Sequence, residues 1–257
     1  MKTLLRSTIS MLLTKEKEVQ AIVLNVDNNG YLIAQVRNER AVRAVIAPED
    51  ISMYQKDENN QLRRLLGSTS HASVIGKDKE NLLLSRKDLM QRKFDTYKSG
   101  DVVEATICSF ADNAMYLEFD EGLIGKMYTN QITSAKVERP MDLYDIGDKV
   151  KCVIVKKQPD GRFLLSRLSY YKNNNNLNIQ NGDILKCKIT QKLRENSGYF
   201  VEVTSNPNFS GIFDINKHNC KINYRVGDTI SLRVVDVKGN KQLRFRTNLL
   251  PESKKCC

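Results

Sequence analysis

The sequence predicts an all-β chain of three tandem five-stranded barrels, joined by short helical segments and linkers. Three observations predict it. Between Gly100 and Arg167, apolar side chains fall on alternate positions over short runs such as Val102–Ile107 and Ala114–Phe119, as the faces of half-buried strands require. Those runs are separated by turn residues, among them Asp120-Glu121-Gly122 and Asp160-Gly161, with room for only one short helix between them. Short strands in such a series close into a small barrel, which removes the exposed edges an open sheet would leave. The pattern then recurs. Gly182-Asp183 restates Gly100-Asp101 82 positions later, and Gly227-Asp228 restates Gly147-Asp148 80 positions later.

Taken in order, Met1–Thr14 reads as a short helix or a loose lead. The first copy covers 15–87, with strands over Val19–Leu24 and Tyr31–Val36 and a closing Leu82-Leu83-Leu84-Ser85-Arg86, which repeats Phe163-Leu164-Leu165-Ser166-Arg167 81 positions earlier. Met53–Leu66 is a helix candidate inside it, and Lys87–Ser99 a helical bridge to the next copy. The middle copy covers 100–168 and holds about five strands, the commonest small-sheet size. Ser169–Asn181 contains an Asn run that buries nothing apolar and competes with regular structure through its side chains, so it reads as a flexible linker. The last copy covers 182–248, and Pro251–Cys257 is a polar tail.

The net charge of +11 favours a polyanionic partner, because each cation that neutralises a phosphate releases counterions. It is spread unevenly. Residues 100–168 hold 9 Lys and Arg against 11 Asp and Glu, whereas residues 182–250 hold 12 against 6. The six cysteines form no metal or disulfide framework, which fits a reducing cytoplasm. Met1–Leu13 is too short and too broken by Lys2 and Arg6 for a signal core or a membrane span, so no membrane partner is expected. The two histidines, His71 and His218, have no catalytic partner at a recognisable spacing, and no phosphate-binding loop or dinucleotide fingerprint is present. The expectation is therefore a protein that is not an enzyme and needs no cofactor or metal.

The middle copy also resembles a known family. Its Gly-Asp-x-Val opening, Gly125, Val137-Glu138-Arg139-Pro140, second Gly-Asp-x-Val and closing Arg-x-x-Leu-Ser together resemble an S1 RNA-binding domain, the family named after a bacterial ribosomal protein. The resemblance implies OB-fold barrels that bind single-stranded RNA, with a stacking face that falls on Tyr116 and Tyr128 and flanking polar positions at Gln158, where the family has Asp, and Arg162. Lys126 and Arg167 join that set as neighbouring cations. In the last copy the aligned residues are Phe200, which keeps the aromatic platform, and Asp214, which does not; Lys241, Arg244 and Arg246 supply charge. Leu32, with Tyr31 beside it, stands in the first copy where the middle has Tyr116, a poorer stacking face. The implied role is non-catalytic handling of messenger RNA in translation, with the ribosome as a candidate partner. The rivals are a protein-interaction adaptor and an accessory subunit of a nuclease or polymerase complex.

Overall fold

A computed structural model of the protein describes residues 9–13, 18–39, 41–54, 65–78, 81–174, 177–193, 197–215, 224–238 and 242–247. Strands β1 (Glu18–Val26), β2 (Leu32–Val36), β3 (Arg43–Ile46), β4 (Thr69–Asp78) and β5 (Asn81–Ser85) close the first barrel. The second is made by β6 (Val102–Ala111), β7 (Ala114–Phe119), β8 (Leu123–Tyr128), β9 (Lys149–Lys157) and β10 (Phe163–Ser166), and the third by β11 (Ile184–Lys192), β12 (Gly198–Val203), β13 (Ser210–Asp214), β14 (Thr229–Lys238) and β15 (Gln242–Thr247). Each runs in the cyclic order first-second-third-fifth-fourth, with the third and fifth strands parallel and the first strand antiparallel to both the second and the fourth. This is the five-stranded OB barrel. Alternation does the sorting: in β6, Val103, Ala105 and Ile107 face inward while Glu104 stays exposed, and in β8 Leu123, Gly125 and Met127 are buried between outward residues. Phe119 and Phe163 meet in the middle core with ring centres 5.4 Å apart.

Closure is achieved the same way three times. The first strand of each barrel carries an extra residue in its register, Leu24, Cys108 or Thr190, and the fourth carries another, Ile75, Val155 or Val235. Such bulges bend a strand and raise its twist, which a five-stranded sheet needs in order to meet itself. The Gly-Asp pairs are clasps on these bends. Gly147 N–H donates to Ile107 O at 2.8 Å and Ile107 N–H to Asp148 O at 2.9 Å, while the Asp148 carboxylate accepts the Asp145 N–H at 3.0 Å. Gly100-Asp101, Gly182-Asp183 and Gly227-Asp228 repeat that geometry, and in the first barrel Gly67-Ser68 takes the place of Gly-Asp. Gly147 has φ +98° with no heavy atom within 4 Å of where a Cβ would stand, so only backbone strain opposes a side chain there. Gly147→Ala should therefore cost about 1–2 kcal/mol, read as a lower denaturation midpoint; an unchanged midpoint would show that the turn relaxes.

Helix α1 (Arg86–Thr96) occupies the expected bridge after the first barrel, and Ser85 Oγ caps it by accepting the Asp88 N–H at 2.9 Å. Residues 9–13 are helical, with Ile9 and Leu12 buried in the first barrel's core. Most of the Met53–Leu66 helix candidate lies outside the described residues. Within the middle barrel, α2 (Thr129–Ile132) follows β8 directly. After β10 the chain does not loosen as the Asn run suggests: α3 (Arg167–Asn174) begins at once, with Ser166 Oγ accepting the Ser169 N–H at 3.0 Å. The flexible-linker reading of Ser169–Asn181 is thus corrected over its first half, because a capped start outweighs the helix-poor asparagines.

The chain divides into two compact units, Met1–Tyr97 with Asp120–Leu123, and Lys98–Phe119 with Ile124–Cys257. The second holds the middle and last barrels together. At its centre Arg167 Nη1 lies 3.3 Å from both carboxylate oxygens of Glu202, which is 1% exposed, and also donates to Ile132 O at 3.2 Å. Tyr144 and Tyr171 flank the guanidinium with ring centres 5.9 and 5.4 Å away. Lys188 donates to Leu143 O at 2.5 Å, and Asn208 Nδ2 to Leu168 O at 3.0 Å. Burial holds the Lys188 ammonium below its ordinary pKa against the pull of Glu202, and pushes the thiols of Cys152 and Cys187 up to about 12, as expected of packed, unreactive cysteines.

Candidate nucleic-acid interface

Strand alternation decides which side chains reach the barrel surface. In β8 the outward positions are Ile124, Lys126 and Tyr128, and in β7 they are Tyr116 and Glu118. Tyr116 stands just beyond the Cys108 bulge, opposite Ser109. The Lys126 ammonium lies 4.6 Å from the centre of the Tyr128 ring and 5.6 Å from that of Tyr116. A hydrogen bond with the Tyr128 hydroxyl, aided by both phenols against slight burial, holds Lys126 above its ordinary pKa. The three residues form one half-exposed patch of two rings and a permanent cation. At this exposure each ammonium–ring contact is worth about 0.5–1 kcal/mol, little enough for a ligand to displace. Thr129 ties the patch down, its N–H and hydroxyl both donating to Asn113 O at 2.9 Å.

Arg162 stands in the β9–β10 turn. Its guanidinium meets Asp160 at 2.8 Å, with both side chains substantially exposed. Burial alone would raise the Asp160 carboxyl, but the hydrogen bonds and charge of Arg162 outweigh it and hold that carboxyl below its usual value. A pair this exposed is worth at most about 1 kcal/mol, so the cation can be exchanged onto a phosphate. Gln158 N–H donates to Arg162 O at 2.8 Å and closes the same turn.

Arg167 takes another path. Its guanidinium points into the second unit and is committed to Glu202 and Ile132 O, so the structure does not bring it to the Tyr116–Tyr128 patch. The first barrel does likewise: Arg86, the matching residue after Ser85, is 8% exposed and donates to Ser70 Oγ at 2.6 Å and Ile51 O at 2.9 Å. In both copies the Leu-Ser-Arg ending is a helix cap followed by an inward strut, a signal that comparison of the two copies for burial would have exposed.

Pairing across the strands gives each barrel one outward row at the same level. The middle row is Tyr116, Lys126 and Leu164, the last Phe200, Ile212 and Arg244, and the first Ile33, Val45 and Leu83. The first row has no ring and no cation. It also corrects the alignment of Leu32 with Tyr116: Leu32 is fully buried, and the residue just past the Leu24 bulge is Ile33, opposite Asn25. In the last barrel Arg244 and Arg246 are exposed on β15, and Asp214 is exposed at the end of β13; Lys241 lies outside the described residues. His71 accompanies Glu121 in the first unit, with Nδ1 2.7 Å from the carboxylate and Gln20 at Nε2, a pairing across distant sequence positions that spacing did not reveal. Among the described residues, no helix is long and apolar enough to cross a membrane.

Residues 96–168 match the S1 RNA binding domain family. The chain is similar to the 4-hydroxy-3-methylbut-2-enyl diphosphate reductase of Clostridium tetani, 34% identical over 34% of this chain and 14% of that protein. It is similar as well to the small ribosomal subunit protein bS1 of Leuconostoc lactis, 26% identical over 86% of this chain and 53% of that protein. The chain thus spans a minor part of the first relative and about half of the second. Among solved structures, a multidomain protein with nucleic acid binding domains from Streptococcus pneumoniae aligns over 90% of this chain and 73% of its own, at 13% identity and a TM-score of 0.30.

Proposed function

From the premise that the middle barrel is an S1 RNA binding domain, we propose that this chain is a non-catalytic binder of single-stranded RNA, with the Tyr116–Lys126–Tyr128 patch as its principal contact. One observation carries the reading: two half-exposed rings and a cation on the outward face of that barrel, held by short strands and a tied-down turn. Bases splayed from a single strand stack on such rings whatever their sequence, while Lys126 and Arg162 meet the phosphates. The likeness to a ribosomal protein over most of this chain supports messenger RNA as the ligand, the ribosome as a partner, translation as the process and the cytoplasm as the place.

Tyr128→Ala should weaken binding of a fluorescein-labelled oligouridylate by about 1–3 kcal/mol, the usual worth of one stacked base, with no change in the melting midpoint. Anisotropy titration at fixed salt measures it. Unaltered affinity in a folded variant would move the contact elsewhere on the chain.

A further inference from the structure

The last barrel's row has the platform ring but lacks the cation beside it. In the middle barrel that cation is Lys126, two residues before Tyr128 on the neighbouring strand; the matching position on β13 is Ile212, paired with Phe200 on one side and Arg244 on the other. Yet an ammonium does lie over the Phe200 ring, 5.8 Å from its centre, and it belongs to Lys136 of the middle barrel. The segment after α2 that carries it is fastened to the last barrel. Ser134 N–H and Oγ donate to Pro207 O at 3.0 and 2.9 Å, and Thr190 Oγ1 donates to Lys136 O at 2.9 Å. Between this segment and the outer face of the last barrel lies a cleft of about 380 Å³, lined among others by Ser134, Lys136, Phe200, Ile212, Lys238 and Arg244. That volume falls in the range of small-ligand sites, about 300–1,000 Å³.

We propose that this cleft is a second nucleotide site, built jointly by the middle and last barrels, that takes one nucleotide of single-stranded RNA. The base stacks on Phe200 and against Ile212, and the flanking phosphates meet Lys136, Lys238 and Arg244. Among the described residues none of these three cations is joined to a carboxylate: Asp236 is the cross-strand partner of Arg244 in β14 but forms no ion pair with it, and Asp214, two residues beyond Ile212 on the same face of β13, forms none either. The charge is therefore available to a ligand. Lys136 rides on a flexible stem above a clamped backbone, so its ammonium can turn from the ring to a phosphate when a base takes the ring face. The last site is incomplete without the middle barrel, which lends it a residue.

This inference rests on the single-stranded-RNA reading above, and its test separates the two. Anisotropy titration of the full chain uses a labelled oligouridylate of about twelve nucleotides, long enough for two such barrels. Lys136→Ala should weaken binding about tenfold, and so should Phe200→Leu, which removes the ring and keeps the apolar bulk. Together they should cost less than the product of the two, because both act on one bound nucleotide. Melting midpoints close to the wild type confirm that both variants fold, as they should, since Lys136 anchors through its backbone carbonyl. Wild-type affinity in Lys136→Ala would overturn the shared site, and so would losses that multiply. If Tyr128→Ala is silent while these variants lose affinity, the principal-contact reading fails and the shared site stands; the reverse pattern removes the shared site alone.

Discussion

Arg167→Met should destabilise the second unit by about 3–5 kcal/mol, the largest loss expected of any single substitution in it. Arg167 and Glu202 are almost wholly shielded, their side chains 11% and 2% exposed. Removing the cation strands a carboxylate in a site closed over by Tyr144, Tyr171 and neighbouring backbone, where water cannot replace the lost partner. Lys188 limits the damage only in part, because its ammonium is engaged with Leu143 O and lies 4.8 Å from the Tyr144 ring. The double variant Arg167→Met with Glu202→Leu should recover most of the loss, since two apolar groups of similar bulk leave neither member of the pair stranded, and Lys188 keeps Leu143 O. Urea midpoints of the three proteins decide it. A double variant no better than the single would mean that shape, and not the stranded charge, sets the cost.

Gly211→Ala should be nearly as damaging, at about 3 kcal/mol. A Cβ at Gly211 would lie 1.9 Å from Leu243 O and 2.6 Å from its carbonyl carbon, and a backbone neighbour cannot swing aside as a side chain can. Gly211 pairs with Leu243 in the parallel β13–β15 ladder, so relief requires those strands to part. The matching place in the first barrel is taken by Ala44, fully buried and paired with Leu82, so the fold as such does not require glycine there; in the middle barrel it is Gly125, where a Cβ would meet the Leu165 side chain at 2.2 Å and not the backbone. Because the Phe200–Ile212–Arg244 row crosses the same two strands, RNA affinity should fall with stability. Thermal melting of the variant checks the first effect; a midpoint within about 1 °C of the wild type would refute the clash, since 1 kcal/mol moves a domain of this size by several degrees.

The barrels were legible in the sequence because period-two alternation and Gly-Asp turns are local signals. Gly100, Gly147, Gly182 and Gly227 mark clasps that any reading of the chain meets directly. Bulges are not local in that sense. The extra residue at Leu24 shows only in the pairing of β1 with β2, and without it the first copy's outward residue was placed at Leu32 instead of Ile33. Side chains whose partners belong to another barrel were the least legible. Arg167 reads as one more surface cation until Glu202, 35 positions later, is seen beneath it. Lys136 carries no local signal, because the ring it covers is on β12, in a different repeat. The asparagines of 173–176 mislead for a related reason: their composition says nothing of the Ser166 cap that starts α3.

The Arg167–Glu202 strut also bears on how an RNA strand experiences the protein. Two barrels on a slack tether would capture a strand by local concentration, and any spacing between the bound segments would do. Here the middle and last barrels belong to one compact unit, so a strand held on one row would find the other already in place. If both rows hold RNA as proposed, such a pair would act as a fixed-span caliper, favouring strands that can lie extended across it and discriminating by the stiffness and pairing of the nucleotides between the two rows instead of by their sequence.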